Sequence, residues 1–116
     1  MIQHTFHPAE KTLQLTIPGD LLRANAESIK AEALAILGSA EIKSAGWTVL
    51  KLDLTSARMV DSVGLNLVVF LFKEAKKANA RTAVVISDKN IQRTFLFTRL
   101  NTHLDVIMAD GSVPQG

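Results

Sequence analysis

Residues 49–87 read VLKLDLTSARMVDSVGLNLVVFLFKEAKKANARTAVVIS, and this stretch decides the fold. Its first part alternates: Val49, Leu50, Leu52 and Leu54 are interrupted by Lys51 and Asp53, as in a strand with both faces largely covered. Its last part carries the apolar run Ala83, Val84, Val85 and Ile86, short enough for a buried strand and too short for a helix. Between them, Ser62 to Ala78 has the length and composition of a helix. Strand, helix, strand with a crossover of this length implies two parallel neighbours joined by a right-handed connection.

The same alternation extends outward. Upstream, Leu13, Leu15 and Ile17 recur with period two between Lys11 and Ile17, and Gln3 to Phe6 is a weaker segment of the same kind. With His7, Pro8, Ala9 and Glu10 as the turn, they form an N-terminal hairpin. After Pro18 and Gly19, the residues Leu22, Ala26, Ile29, Ala33, Ile36 and Leu37 fall on one helical stripe, with Asp20 as expected N-cap and Gly38 as expected stop. Downstream, Asn90 to Leu100 reads as a third helix and Asp105 to Met108 as a final strand. The expected architecture is one α/β domain over residues 1–108, with a mainly parallel mixed sheet of about five strands flanked by helices. The tail, residues 109–116, has no apolar periodicity and is expected to fray.

Composition narrows the function. With 116 residues the chain is long enough for one core and too short for a second domain. It has no cysteine, which removes thiol nucleophiles, thiolate metal sites and disulfides, and fits a reducing, cytoplasmic setting. Its start, MIQHTFHPAEKTLQL, lacks the pattern of a secretory signal, and its longest apolar run, Leu67 to Phe72, or Val63 to Phe72 if Gly64 and Asn66 are tolerated, falls short of the roughly 20 residues that span a bilayer. Thirteen basic against 11 acidic residues leave a net charge of +2, too little to argue for nucleic acid. His4 and His7 fall on opposite faces of a strand, which opposes a shared metal. The glycines form no phosphate-binding loop.

The informative place is where loop turns into helix, at Asp61 and Ser62, beyond the carboxyl end of a parallel strand. Three readings of it compete. Asp61 or Ser62 can cap the helix. Ser62 can be a nucleophile, although the flanking glycines of a nucleophile elbow are missing and no histidine is tied to it. Ser62 can also be a phosphorylation switch, since a helix N-terminus tolerates a phosphate whose charge would disturb a contacting partner. A Mg²⁺ site at Asp53 and Asp61 lacks the further carboxylate and lysine of a receiver-like phosphoryl site.

Taken together, residues 49–87, the segment PGDLLRANAESIKAEAL that leads into the first helix, and NIQRTFLFTRLNTHLDVI near the end resemble the STAS domain, the family of sulfate-transporter and anti-sigma-factor-antagonist domains. The string Asp61, Ser62, Val63, Gly64, Leu65 carries the resemblance to the bacterial antagonist branch. What that resemblance implies is a non-enzymatic regulator without cofactor. In its unphosphorylated form it binds an anti-sigma factor that is itself a serine kinase. The kinase phosphorylates Ser62, and a serine phosphatase reverses the step. Asp53, Asp61, Ser62, Val63, Gly64 and Asn66 are then the expected partner-binding residues, with Gly64 allowing close approach of a partner. A homodimer is also compatible. The alternative of another class is an adaptor subunit of a lipid or anion transport complex, or of a stressosome, in which Ser62 is never phosphorylated.

Overall fold

A computed structural model describes residues 2–110. The elements run β1 (Gln3–His7), β2 (Thr12–Thr16), α1 (Arg23–Gly38), α2 (Ala40–Ala45), β3 (Val49–Leu54), α3 (Ser62–Lys77), β4 (Arg81–Ile86), α4 (Lys89–Phe97), a 3-10 turn (Leu100–Thr102) and β5 (Asp105–Met108). The strands lie side by side in sequence order. β1 and β2 form the antiparallel hairpin, with Gln3 opposite Thr16, and every later pairing is parallel. β3 and β4 are neighbours in the predicted sense, with Leu52 opposite Val84 and α3 as their crossover.

One expectation fails in the sheet. β3 is not covered on both faces: Leu50, Leu52 and Leu54 are buried, while Val49, Lys51 and Asp53 are half-exposed. Every helix sends its buried residues into a single core that the sheet meets through one set of alternating side chains. Leu13 and Leu15 of β2, Leu50, Leu52 and Leu54 of β3, Val84 and Ile86 of β4, and Val106 and Met108 of β5 make up the sheet side. Lys51 and Asp53 were the signal, because a sheet buried twice has no use for charges at alternate positions.

The helix ends also differ from expectation. Asp20 does not cap α1. Leu22 occupies the N-cap position with extended backbone, its amide donating to Asn25 Oδ1 at 2.9 Å, and the Asp20 carboxylate instead accepts the amides of Arg58 at 2.8 Å and Met59 at 3.1 Å. Gly38 does end α1, but a further helix, α2, follows at once. Ser39 caps it by accepting from the amide of Ile42, and Gly46 closes it in the left-handed region at φ 73°. His7 belongs to β1 rather than to the turn, and α4 stops at Phe97, three residues early. Ala109, placed in the expected tail, donates its amide to the Ile86 carbonyl at 2.7 Å and so extends the pairing of β5; residues 111–116 lie outside the described residues.

α3 is the central helix. Gly64, Leu67, Val68, Leu71 and Ala75 recur at three- and four-residue steps and are buried on the sheet, while Val63, Leu65, Val69, Phe70 and Phe72 of the apolar run are half-buried. Phe70 sits on the edge of that stripe beneath Lys30 of α1, whose ammonium lies 4.3 Å from the ring centroid. No helix among the described residues is long and apolar enough to cross a membrane.

Candidate functional site

Two loops leave the carboxyl ends of adjacent parallel strands, one from β2 to α1 and one from β3 to α3, and they are bonded to each other. The Leu21 amide donates to the Met59 carbonyl at 3.1 Å and the Asp61 amide donates to the Leu21 carbonyl at 3.2 Å, so Leu21 and Val60 form one isolated parallel bridge. Asp20 reaches across to two amides of the second loop, and Asp61 reaches back to the first.

Asp61 is the N-cap of α3. One carboxylate oxygen accepts the Gly64 amide at 2.8 Å, and the other accepts the amide of Arg23, the first residue of α1, also at 2.8 Å. A single side chain therefore caps two helices. The Gly64 and Arg23 amides hold its pKa below the ordinary carboxylate value, with a smaller share from the Val63 amide and the Arg23 charge. The sign follows: a depressed folded pKa contributes stability that is present above the unfolded value near 3.8 and is lost as pH falls through the lower folded value. Replacing Asp61 by Ala is thus expected to lower the melting temperature at neutral pH. The gap from wild type should close as the pH is taken well below 3.8, and a gap that stays constant would refute the role.

With Asp61 as the cap, Ser62 is released from that duty. It is the first residue of α3, exposed, and its hydroxyl makes no hydrogen bond among the described residues. The three readings of this position therefore separate. Capping belongs to Asp61 alone, and Ser62 has no hydrogen-bonded base to activate it.

The glycine has a task inside the domain. Gly64 is buried, and a Cβ built on it would run into the carbonyl oxygen of Leu21 and come within 2.8 Å of the carbonyl carbon. The close approach is made by the chain's own loop.

The remaining predicted residues divide. Val63, half-buried, and Asn66, exposed, line a groove of about 130 Å³ between α1 and α3, together with Glu27, Lys30 and Phe70. Asp53 serves the turn after β3: it accepts from the amide of Thr55 at 3.0 Å and from its hydroxyl at 2.7 Å, and its second oxygen meets Gln14 at 3.5 Å across the open face of the sheet. Asp53 and Asp61 thus have separate partners, and no group of three or more His, Asp or Glu side chains that could hold a metal occurs among the described residues. Residues unmarked in the sequence as site residues join it: Arg23 at the start of α1, and Arg58 and Met59 from the loop after β3, the last 60% exposed. Met59 could have been noticed as a large apolar residue just outside any periodic segment.

The comparisons with known proteins agree with this architecture. The sequence matches the STAS domain family over residues 5–109. None of the curated proteins compared matches it. Among solved structures, a Thermotoga maritima protein assigned as an anti-sigma factor antagonist superposes with a TM-score of 0.76 at 19% identity, over 91% of this chain and 85% of that one. An anti-sigma factor antagonist from Mycobacterium paratuberculosis gives 0.73 at 16% identity, over 91% and 83%. The phosphorylated form of the Bacillus cell fate determinant SpoIIAA gives 0.63 at 20% identity, over 95% and 94%. At these identities the superpositions speak for the fold, and it is the family match, spanning nearly all the described residues, that decides membership: the chain belongs to the STAS domain family.

Proposed function

We propose that this protein is a cytoplasmic, non-enzymatic regulator of the anti-sigma factor antagonist type, whose unphosphorylated form binds an anti-sigma factor with serine kinase activity and whose binding is switched off by phosphorylation of Ser62. A serine phosphatase would restore the binding form. The observation that carries the proposal is the division of labour at the start of α3: Asp61 does the capping, and Ser62 presents an unbonded, exposed hydroxyl beside it. A phosphate there would add about −1.5 to −2 charges next to the positive end of a 16-residue helix, within a surface that also carries Arg23 and Arg58. The domain would tolerate it. A partner that had docked over the same surface would meet a charge it was not built to pair. The solved structures of SpoIIAA in phosphorylated and unphosphorylated forms support the class of mechanism by analogy.

The test is phosphate incorporation. Incubation with ATP and an anti-sigma factor kinase should place one phosphate on Ser62, located by mass spectrometry, and Ser62→Ala should abolish it. Because Ser62 is not the cap, the Ala variant should melt within about 2 to 3 °C of wild type, as surface substitutions do. Phosphate on another residue, or on none, would overturn the proposal.

A further inference from the structure

We infer that the cleft at the far end of α3 is a binding site for a small aromatic organic acid. It lies roughly 20 Å along the helix from Ser62, at the amino-terminal end of β4, and is independent of the phosphorylation proposal. Its volume is about 390 Å³, and its walls are the last turns of α3, the start of β4 and the loop 101–104. That size lies in the range that takes a small molecule.

Three observations give the ligand its chemistry. The first is Thr82, which lines the cleft, is only 2% exposed, and whose Oγ1 has no hydrogen-bond partner among the described residues. Its place in β4, alternating with Val84 and Ile86, turns it to the helix side of the sheet, where the cleft lies between α3 and the loop. A buried hydroxyl left unpaired is destabilising, and a ligand atom at this position would relieve it. The second is charge. Arg81 is held by Asp105 at 2.7 Å, and Lys77 by Glu74 at 2.8 Å, whereas Lys76, which lines the cleft, has no carboxylate partner among the described residues. The third is the apolar wall. Phe72 and His103 stand with ring centroids 6.2 Å apart and planes tilted by 47°, presenting ring surface to the same cleft. A free cation, an unpaired buried hydroxyl and an aromatic wall together suit a compact anion carried on a flat body. The anionic group would take Lys76 and the Thr82 hydroxyl, and the ring would lie on Phe72.

The experiment is an amide-resolved NMR titration of the full chain with benzoate, with benzamide and inorganic phosphate as controls. Benzoate should saturate with a Kd on the order of 1 mM, as small ligands in open clefts do, and should move the amides of Phe72, Lys76, Thr82 and residues 101–104. Benzamide should bind at least about 5-fold more weakly, since it lacks the charge that Lys76 would pair. Lys76→Gln should weaken benzoate by a similar factor without changing the melting temperature. Thr82→Val should weaken it while melting at or above the wild-type temperature, because it removes an unpaired polar group of nearly the same shape. Equal binding of benzamide would refute the anionic ligand, and phosphate binding as tightly as benzoate would refute the aromatic one. Non-saturating shifts spread over the basic surface, an adventitious ion only, would overturn the site itself.

Discussion

Gly64→Ala is expected to destabilise the domain by about 2 to 4 kcal/mol, even though the substitution favours helix formation. In a helix interior, alanine is preferred to glycine by about 1 kcal/mol, so propensity alone predicts a gain. Geometry opposes it. The new Cβ would collide with the carbonyl oxygen of Leu21, lie 2.8 Å from the carbonyl carbon and 3.0 Å from Leu21 Cγ. The side-chain atom can move, but the carbonyl cannot move cheaply. Leu21 is held from both directions, by its amide on Met59 and by its carbonyl under the amide of Asp61. Relief therefore requires parting the two loops and leaving their polar groups unpaired, beyond the roughly 1 to 3 kcal/mol of ordinary overpacking. For a domain of this size the melting temperature should fall by about 10 to 20 °C. An unchanged or raised melting temperature would show that α3 slides away from Leu21 without loss.

The second large effect is on binding. Ser62→Asp should leave the fold intact and reduce affinity for the proposed anti-sigma-factor partner by at least about 30-fold, or 2 kcal/mol, since an unpaired charge desolvated in an interface costs several kcal/mol. Its effect on the isolated domain is small because two terms oppose each other. A carboxylate at a helix N-terminus gains about 0.3 to 1 kcal/mol, and repulsion from the neighbouring Asp61 offsets part of this. Ser62→Ala should bind as wild type does. Titration calorimetry on both variants reads the difference directly. Equal affinities, with both proteins folded, would reject the switch and favour the adaptor role, in which Ser62 is never phosphorylated.

The elements legible in the sequence were those with enough length for a period to show. The runs at 83–86 and 50–54 and the stripe of α1 each repeat often enough to mark an element, and their order compels a parallel sheet. α2 was missed because six residues complete less than two turns, and its only marks were Ser39 before it and Gly46 after it. The position of Ser62 was legible, but its freedom was not. That it does not cap follows from Asp61 reaching both Gly64 and a residue 38 positions earlier, and no local pattern reports such a contact. The same holds for Asp20, which has the composition and place of a helix cap and spends its carboxylate on Arg58 and Met59 instead. Gly64 is the clearest case: the contact that demands a glycine there is with Leu21, on the other loop, and nothing beside it in the sequence reports that contact.

The bonding between the two loops also constrains how this fold can be inherited. Asp20, Leu21 and Arg23 on one side and Arg58, Met59, Asp61 and Gly64 on the other share one set of contacts, so neither loop can change length while the other stays as it is. Insertions should accumulate elsewhere, around the junction of α1 with α2, where Ser39 bonds only to its near neighbours Ile36, Ile42 and Lys43. Residues 55–64 and 18–23 form a single heritable unit, and a chimera that takes residues 55–64 from a relative would have to bring that relative's first loop with it.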